Sequence, residues 1–314
     1  MTKSVKNAKK QQLTFFALLA LVMGNMVGSG IYLLPASLAR IGSITLYSWI
    51  FSSFGALLLA FIFANLSKKI KNTGGPYIYA KEILGKFSGF QTAYSYWIAI
   101  LITEAALAIA FTSYFSVFWP YAMDSINTSI IAITVVWLST TLNILSVSNI
   151  GRIQVVFNIF KFIPLILIVI FGWKYIHKDF YIQYYNISGK SDFSAFSAAI
   201  VITFWSFCGI ESATVPSGLV RKPKITVPIA TILGVIIVTI IYIGCSAVVM
   251  GMINPEILGY STSPLADAAQ IMIGDSGRYL IAFSAALACL GSLHGWILLQ
   301  GQVSLAVAED KMLP

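Results

Sequence analysis

The first apolar run begins near Leu13 and is long enough to span a bilayer, yet Gly24, Gly28, Ser29 and Gly30 crowd into its middle. A helix in lipid must satisfy its own backbone, because the hydrocarbon core offers no hydrogen-bond partner. A helix opened by these residues is tolerated only where it is buried or lines a wet cavity, and there its free backbone groups can bind a ligand. The alternative is that Gly24 and Gly28 form a GxxxG face for close helix packing.

Composition places the chain among α-helical membrane proteins with several spans. Of its 314 residues, 58% are hydrophobic and only 10% are charged, whereas soluble domains carry roughly a quarter charged residues. Eight stretches are apolar over the length that a membrane span needs. The sequence therefore predicts an all-α integral membrane fold with spans near residues 13–39, 44–66, 87–118, 128–147, 152–174, 194–219, 226–252 and 278–308.

Other classes of protein fit this sequence poorly. The three cysteines lie in apolar stretches without a CxxC pair, so we predict neither a disulfide framework nor a metal site, and no cofactor. The two histidines, His177 and His294, belong to no HExxH pattern, and no Walker A, GxSxG or GxGxxG motif occurs in a suitable context. The net charge of +9 follows the loops, which does not indicate a nucleic-acid partner. The chain is therefore not expected to be an enzyme.

Lysines and arginines in the loops predict the orientation of the spans. With the N-terminus inside, fourteen of them lie on the internal side and five on the external side, in agreement with the positive-inside rule. Residues 1–12 are then a basic cytoplasmic segment. The first span is expected to be retained, because its apolar run continues through the glycines instead of ending at a cleavage site.

Three ionisable residues, Glu104, Lys161 and Glu211, are expected at membrane depth. Each costs about 2.5–3.5 kcal/mol at a helix centre, which makes a functional role the default hypothesis. Glu211 follows a second break, where Gly209 and small residues interrupt an apolar span. The alternatives are that Glu211 is a carboxyl neutralised by a helix neighbour and that Lys161 snorkels toward the interface.

Broken helices in the first and sixth spans are spaced as the starts of two five-helix repeats. That is the pattern of an inverted-repeat transporter whose site lies between the two breaks. The predicted domains are a first repeat over residues 13–174, an extracytoplasmic loop over 175–193 and an incomplete second repeat over 194–314.

The run GNMVGSGIYLLPA at residues 24–36 strongly resembles the first helix of the amino acid–polyamine–organocation transporter superfamily. Further matches are residues 73–80, 205–213, 222–230 and 289–296, which keep the family's order and cover essentially the whole chain. The nearest relatives by this resemblance are the bacterial basic amino acid/polyamine antiporters, which include arginine/agmatine and putrescine/ornithine exchangers.

The resemblance implies secondary transport of a basic amino acid or polyamine by alternating access, as exchange or coupled to protons, in the bacterial inner membrane. Such exchangers have twelve spans and are usually homodimers, so the sequence is expected to be truncated and to lack the last two helices of its second repeat. The alternative is a non-transporting remnant, or an interaction subunit of a split transporter whose missing helices come from another polypeptide.

By the same resemblance, Ser29 and Gly30 hold the α-amino and carboxylate groups of the substrate at the opened helix. The other residues assigned to substrate binding line the pocket or gate it: Met26, Tyr96, Trp205, Cys208 and Trp296. Trp205 would pack over the bound side chain, where a cation gains about 0.5–2 kcal/mol against an indole face. Tyr77 matches a cytoplasmic-side tyrosine associated with gating.

Two departures from the arginine/agmatine type bear on the substrate. Glu104 stands where that pocket has an asparagine facing the distal end of the substrate, so its carboxylate would favour substrates with a distal cation. Alternatively, Glu104 pairs with Lys161, which matches a lysine of proton-coupled relatives. Glu211 is predicted to couple transport to protons by gaining and losing one beside the sixth-helix break.

Overall fold

The structure is a computed structural model that describes residues 13–70, 72–145 and 150–312. The predicted cytoplasmic segment 1–12 lies outside these residues. The α-helices within them are α1 (Phe15–Met26), α2 (Ser29–Ala39), α3 (Thr45–Lys69), α4 (Pro76–Leu84), α5 (Lys86–Phe115), α6 (Ser125–Leu145), α7 (Ile150–Phe171), α8 (Asp179–Gln183), α9 (Asp192–Trp205), α10 (Pro223–Met252), α11 (Pro255–Leu258), α12 (Pro264–Ile273) and α13 (Asp275–Glu309).

Eight segments of the described chain are long and apolar enough to cross a membrane. α1 and α2 together form the first, and the others are α3, α5, α6, α7, α9 with the turn after it, α10 and α13. Each overlaps one of the stretches predicted from the sequence, with shifts of a few residues at the ends. The prediction of an all-α membrane fold is confirmed.

The first span is interrupted between α1 and α2. The Gly28 N–H donates to the carbonyl of Met26 at 2.9 Å instead of continuing the helical pattern to Gly24. The carbonyl of Gly24 is thereby released from the helix ladder. The sixth span is also broken, after Trp205, and there Gly209 adopts a left-handed backbone with φ +108°.

Three buried aromatic rings pack beside the second break. Trp49 of α3 lies 5.2 Å from Tyr242 of α10, and Phe207, just after α9, lies 6.1 Å from Trp49 and 5.5 Å from Tyr242, measured between ring centroids. Tilted and edge-on contacts of this kind are the favoured geometries for aromatic pairs. The cluster fixes the broken sixth span against α3 and α10.

The two breaks pack directly against each other. A Cβ on Gly209 would lie 3.1 Å from the carbonyl carbon of Asn25 and 3.1 Å from the nitrogen of Met26, so a larger residue would push the two backbones apart. The hydroxyl of Tyr242 lies 2.6 Å from the carbonyl oxygen of Met26 and 3.1 Å from that of Ser206. One tyrosine therefore touches both opened backbones.

One end of the bundle is closed by a polar contact between α4 and the end of α13. The Tyr77 hydroxyl donates to Asp310 Oδ2 at 2.5 Å, and Lys81 Nζ lies 2.5 Å from Asp310 Oδ1. The contacts with Lys81 and Tyr77 hold the pKa of Asp310 below its ordinary value. Burial, and to a lesser extent Asp310, raises the pKa of Tyr77 well above its ordinary value. We call these three residues the α4–α13 latch.

We expect Gly209→Ala to lower the free energy of unfolding by about 1–3 kcal/mol, the usual cost of a disfavoured backbone conformation. The cause is the combination of its positive φ with the close backbone of Asn25. Gly301→Ala is the matched control, since a Cβ at that position meets nothing within 4 Å and alanine favours a helix. Thermal unfolding of the purified protein in detergent measures both variants. Equal melting temperatures would contradict the packing of the two breaks.

The α4–α13 latch should weaken in acid. A carboxyl whose pKa is lowered on folding adds stability above its ordinary pKa of about 3.9, and that stability is lost as the pH falls through the lowered value. Asp310→Asn should cost about 1 kcal/mol or less at neutral pH, because the pair is partly exposed, and its difference from the parent should shrink below about pH 4. Thermal unfolding across pH measures this, with the exposed Glu309→Gln as control. A difference that stays constant with pH would exclude the latch.

Candidate functional site

A small cavity lies between the two breaks and the middle of α5 and α13. Its volume is about 30 Å³, which leaves room for water but not for an amino acid. Its lining residues come from both breaks and both helices: Asn25, Met26, Gly28, Gly30, Thr103, Leu107, Trp205, Ser206, Cys208 and Trp296. The space between the breaks in this structure is therefore smaller than an amino acid.

Half of the lining belongs to the residues that the sequence assigned to substrate binding, namely Met26, Gly30, Trp205, Cys208 and Trp296. Trp296 is 4% exposed, whereas Trp205 is 46% exposed. Of Ser29 only the backbone is described, at the start of α2. The role of these residues in binding stays a prediction, but the fold brings five of them to one cavity.

Two polar lining residues were missed by the sequence reasoning. Asn25 Nδ2 donates to Ser212 Oγ at 3.0 Å, which leaves the buried Asn25 Oδ1 without a partner in the described chain. The buried hydroxyl of Ser206 has none there either. Buried polar atoms are nearly always hydrogen-bonded, so both atoms are available to a ligand or a water. The sequence feature that could have identified Asn25 and Ser206 is their position inside the two glycine-containing runs that mark the breaks.

Glu211 and Tyr96 join the second break to α5. The Tyr96 hydroxyl donates to Glu211 Oε1 at 2.7 Å, and the Tyr96 ring lies 6.4 Å from the ring of Trp296. Neither Tyr96 nor Glu211 lines the cavity, but Trp296 does. The side chain that donates to Glu211 is thus a neutral hydroxyl, and its ring connects the carboxyl to Trp296 in the cavity wall.

Lys161 fills the gap in the first span. Its side chain is fully buried, and Nζ donates to the carbonyls of Gly24 at 2.9 Å and Val27 at 2.8 Å and to Ser292 Oγ at 3.0 Å. An ammonium has three hydrogens, and all three find an acceptor here. The alternative that Lys161 snorkels toward the interface is therefore wrong.

Glu104 is buried without a counterion. Its side chain is 6% exposed, and Oε1 has no hydrogen-bond partner among the described residues. No ion pair joins it to Lys161 in the part of the chain that the structure describes, so the alternative of a Glu104–Lys161 pair is wrong. The carboxyl is not part of the cavity lining, although Thr103 and Leu107, its neighbours on the same helix, are. Its position facing the substrate therefore stays a prediction.

Tyr77 lies in the α4–α13 latch rather than at the cavity. Its hydroxyl closes one end of the bundle, which is where a gating residue would act. Across the described ranges, no group of three histidine, cysteine, aspartate or glutamate residues could hold a metal ion. The acidic and basic side chains nearest the cavity are those of Lys161, Glu104 and Glu211.

Comparison with known proteins identifies the family that this chain matches. The model of a family described as amino acid permease matches residues 13–314. The chain is 37% identical over 310 residues to the cadaverine/lysine antiporter of Escherichia coli (strain K12), which covers 99% of the chain and 69% of that protein. It is 32% identical over 314 residues to the putrescine transporter PotE of Haemophilus influenzae, covering 98% of the chain and 71% of that protein. The corresponding PotE of Escherichia coli (strain K12) is 30% identical over 311 residues, or 99% of the chain and 71% of that protein.

Both findings agree with the resemblance seen in the glycine-rich first helix and in the later matching runs. With a family match over nearly its whole length and relatives at this level of identity, the chain belongs to the amino acid permease family.

Proposed function

We propose that this protein exchanges basic amino acids and polyamines across the bacterial inner membrane by alternating access. The family and the names of its relatives, a cadaverine/lysine antiporter and putrescine transporters, support this proposal. The observation that carries it is the cavity between the breaks, with the free Asn25 Oδ1 and Ser206 Oγ in its wall and the unpaired Glu104 beside it. A non-transporting remnant is not favoured, because the similarity to transporters extends over the whole chain.

The opened first span offers opposite partial charges to the two ends of an α-amino acid. The N-terminus of α2, at Ser29 and Gly30, is the positive end of a helix dipole and suits a carboxylate. The Asn25 side-chain oxygen, which only accepts hydrogen bonds, suits the α-ammonium. Met26, Trp205 and Trp296 supply apolar and aromatic walls for an aliphatic stem with a cationic end.

Glu104 is the proposed source of the preference for a distal cation. A carboxylate at this depth is costly unless it is paired. Lys161 cannot serve as its partner, because its three hydrogens are bound to Gly24, Val27 and Ser292. The distal ammonium of lysine or of a diamine would supply the missing counterion through a charge-assisted hydrogen bond.

With Glu104→Gln, the preference for lysine over norleucine, the analogue without the distal ammonium, should fall by about 1.5–3 kcal/mol, or roughly 10- to 150-fold. Competition against radiolabelled lysine on the purified protein measures the preference, and counterflow in proteoliposomes measures transport. The exposed Glu256→Gln is the matched control. An equal loss for lysine and norleucine would give Glu104 a structural role only. No exchange across a panel of amino acids and amines would overturn the transport proposal itself.

Proton coupling is proposed for Glu211, with Lys161 as the fixed cation of the first break. Protonation of Glu211 would remove the charge to which the Tyr96 hydroxyl donates. Because Tyr96 packs on Trp296 in the cavity wall, the change would bias the site between its outward and inward states.

Glu211→Gln should mimic the protonated carboxyl and flatten the pH dependence of exchange more than it weakens substrate binding. Tyr96→Phe should shift the pH dependence without abolishing it, because the carboxyl remains. We would measure exchange across pH, substrate affinity and melting temperature for both variants side by side. A lower melting temperature of Glu211→Gln with an unchanged pH profile would leave Glu211 as a structural residue.

The proposed orientation places the N-terminus and the α4–α13 latch on the cytoplasmic side. The positive-inside count supports it. The division into residues 13–174, 175–193 and 194–314, and a homodimer, are proposed from the repeat pattern and the family resemblance alone.

A further inference from the structure

His294 and Asn143 form a buried polar pair that the proposed transport mechanism does not use. His294 lies on α13 and is 1% exposed, and Asn143 lies on α6 and is 9% exposed. Asn143 Nδ2 is 2.7 Å from His294 Nδ1, 3.0 Å from the carbonyl oxygen of His294 and 3.2 Å from that of Ser139. Polar contacts between spans are directional links in a region where lipid offers no partner.

The surroundings of the amide fix the form of the imidazole. Two of the three atoms around Asn143 Nδ2 are carbonyl oxygens, which only accept, so the amide nitrogen rather than its oxygen points toward them. Nδ2 donates to His294 Nδ1 when the neutral ring carries its hydrogen on Nε2, which has no hydrogen-bond partner among the described residues. A proton on Nδ1 would face the amide hydrogens and lose this bond. The Asn143 contact therefore favours the neutral ring over the cationic one.

No charged side chain bonds the ring within the described residues. The buried acidic and basic residues on helices packed against α13 are Glu104 of α5 and Lys161 of α7, the buried tyrosines there are Tyr32 of α2 and Tyr114 of α5, and α6 carries no ionisable residue. Lys161 directs its hydrogens to the first break and to Ser292. The polar partners of the ring are thus the Asn143 amide and the Ser139 backbone, and both are neutral.

α6 meets the rest of the protein along one narrow stripe. Among its described side chains, the buried ones are Val135, Ser139 and Asn143, spaced four residues apart and so aligned on one face. Asn143 is the member of the stripe that donates to a side chain on another helix. The Asn143–His294 pair therefore sets the register of α6 on α13.

Residues next to His294 on α13 contact the first break and the cavity. Two residues before His294, Ser292 Oγ accepts from Lys161 Nζ at 3.0 Å and donates to the Gly24 carbonyl at 2.7 Å. Two residues after it, Trp296 lines the cavity. A shift of α13 against α6 would move both contacts at once.

We propose that Asn143 and His294 are a neutral positioning pair that fixes α13 against α6 and thereby sets where Ser292 and Trp296 stand at the site. The expected effect of this pair on substrate binding rests on the proposed transport function. The neutral state of the His294 ring does not depend on that function.

The state of the ring is testable because the chain contains only two histidines. In a His177→Gln background, isotope labelling of histidine ring nitrogens reports on His294 alone by NMR. We expect one neutral tautomer with its hydrogen on Nε2 from about pH 5.5 to 8, the range in which a free histidine titrates. In Asn143→Asp the carboxylate should draw the proton to Nδ1 and make the ring cationic. A parent ring that titrates in this range, or carries its hydrogen on Nδ1, overturns the proposal.

The positioning role is tested by the binding of radiolabelled lysine. Asn143→Ala should weaken binding about three- to tenfold, although α6 contributes no residue to the cavity. Thr141→Ala is the matched control, because this exposed hydroxyl donates within α6 to the carbonyl of Trp137. His294→Asn should keep near-parent affinity, since its side-chain oxygen can accept in place of Nδ1, whereas His294→Leu should not.

Melting temperatures separate positioning from plain stability. A lower melting temperature of Asn143→Ala with unchanged lysine affinity overturns the positioning role, and so does equal affinity of His294→Asn and His294→Leu. If the parent protein binds neither lysine nor other amines, the proposed transport function fails. The NMR experiment then still decides whether the neutral pair exists.

Discussion

An opened helix inside a membrane needs partners for its freed carbonyls, and Lys161 is the partner on which this site depends. The break releases the Gly24 carbonyl because the Gly28 N–H turns to Met26. Leaving such a buried acceptor unpaired costs about 1–3 kcal/mol. The ammonium of Lys161 satisfies it together with the carbonyl of Val27. Lys161 of α7, together with the Ser292 hydroxyl of α13 that lies 2.7 Å from the same Gly24 carbonyl, thus allows the first span to remain open.

Close packing around the glycines also stabilises the opened first span. A Cβ on Gly28 would lie 3.0 Å from the side chain of Leu107, and one on Gly30 would lie 3.3 Å from the hydroxyl of Ser206. The glycines of the first run therefore serve the break and close packing at the same time. The two interpretations of this run, an opened helix and a packing face, are compatible here, because the opened backbone is buried against α5 and the second break.

The sequence predicted those features that are local in the chain. Apolar length defines the spans, and clustered glycines define the breaks, so both could be located without a structure. Contacts such as Asn143–His294 depend on how two distant helices are aligned, and no local pattern reports that alignment. The latch joins residues 233 positions apart and could not be predicted for the same reason. For Glu104 the sequence left two partners open, and only the geometry of Lys161 removed one of them.

Charge explains why specificity and proton coupling belong together in the proposed exchange. Lysine and the diamine formed by its decarboxylation share the distal ammonium, which Glu104 would bind in either case. They differ at the other end, where the amino acid has a carboxylate and the diamine does not. The charge of the occupied site therefore changes by one between the two substrates, and a membrane interior tolerates such a change poorly. Lys161 cannot compensate, because its ammonium is held by the first break. Glu211 has a neutral hydroxyl as its side-chain partner, and in the proposed exchange its carboxyl would gain a proton with the amino acid's carboxylate and lose it with the diamine.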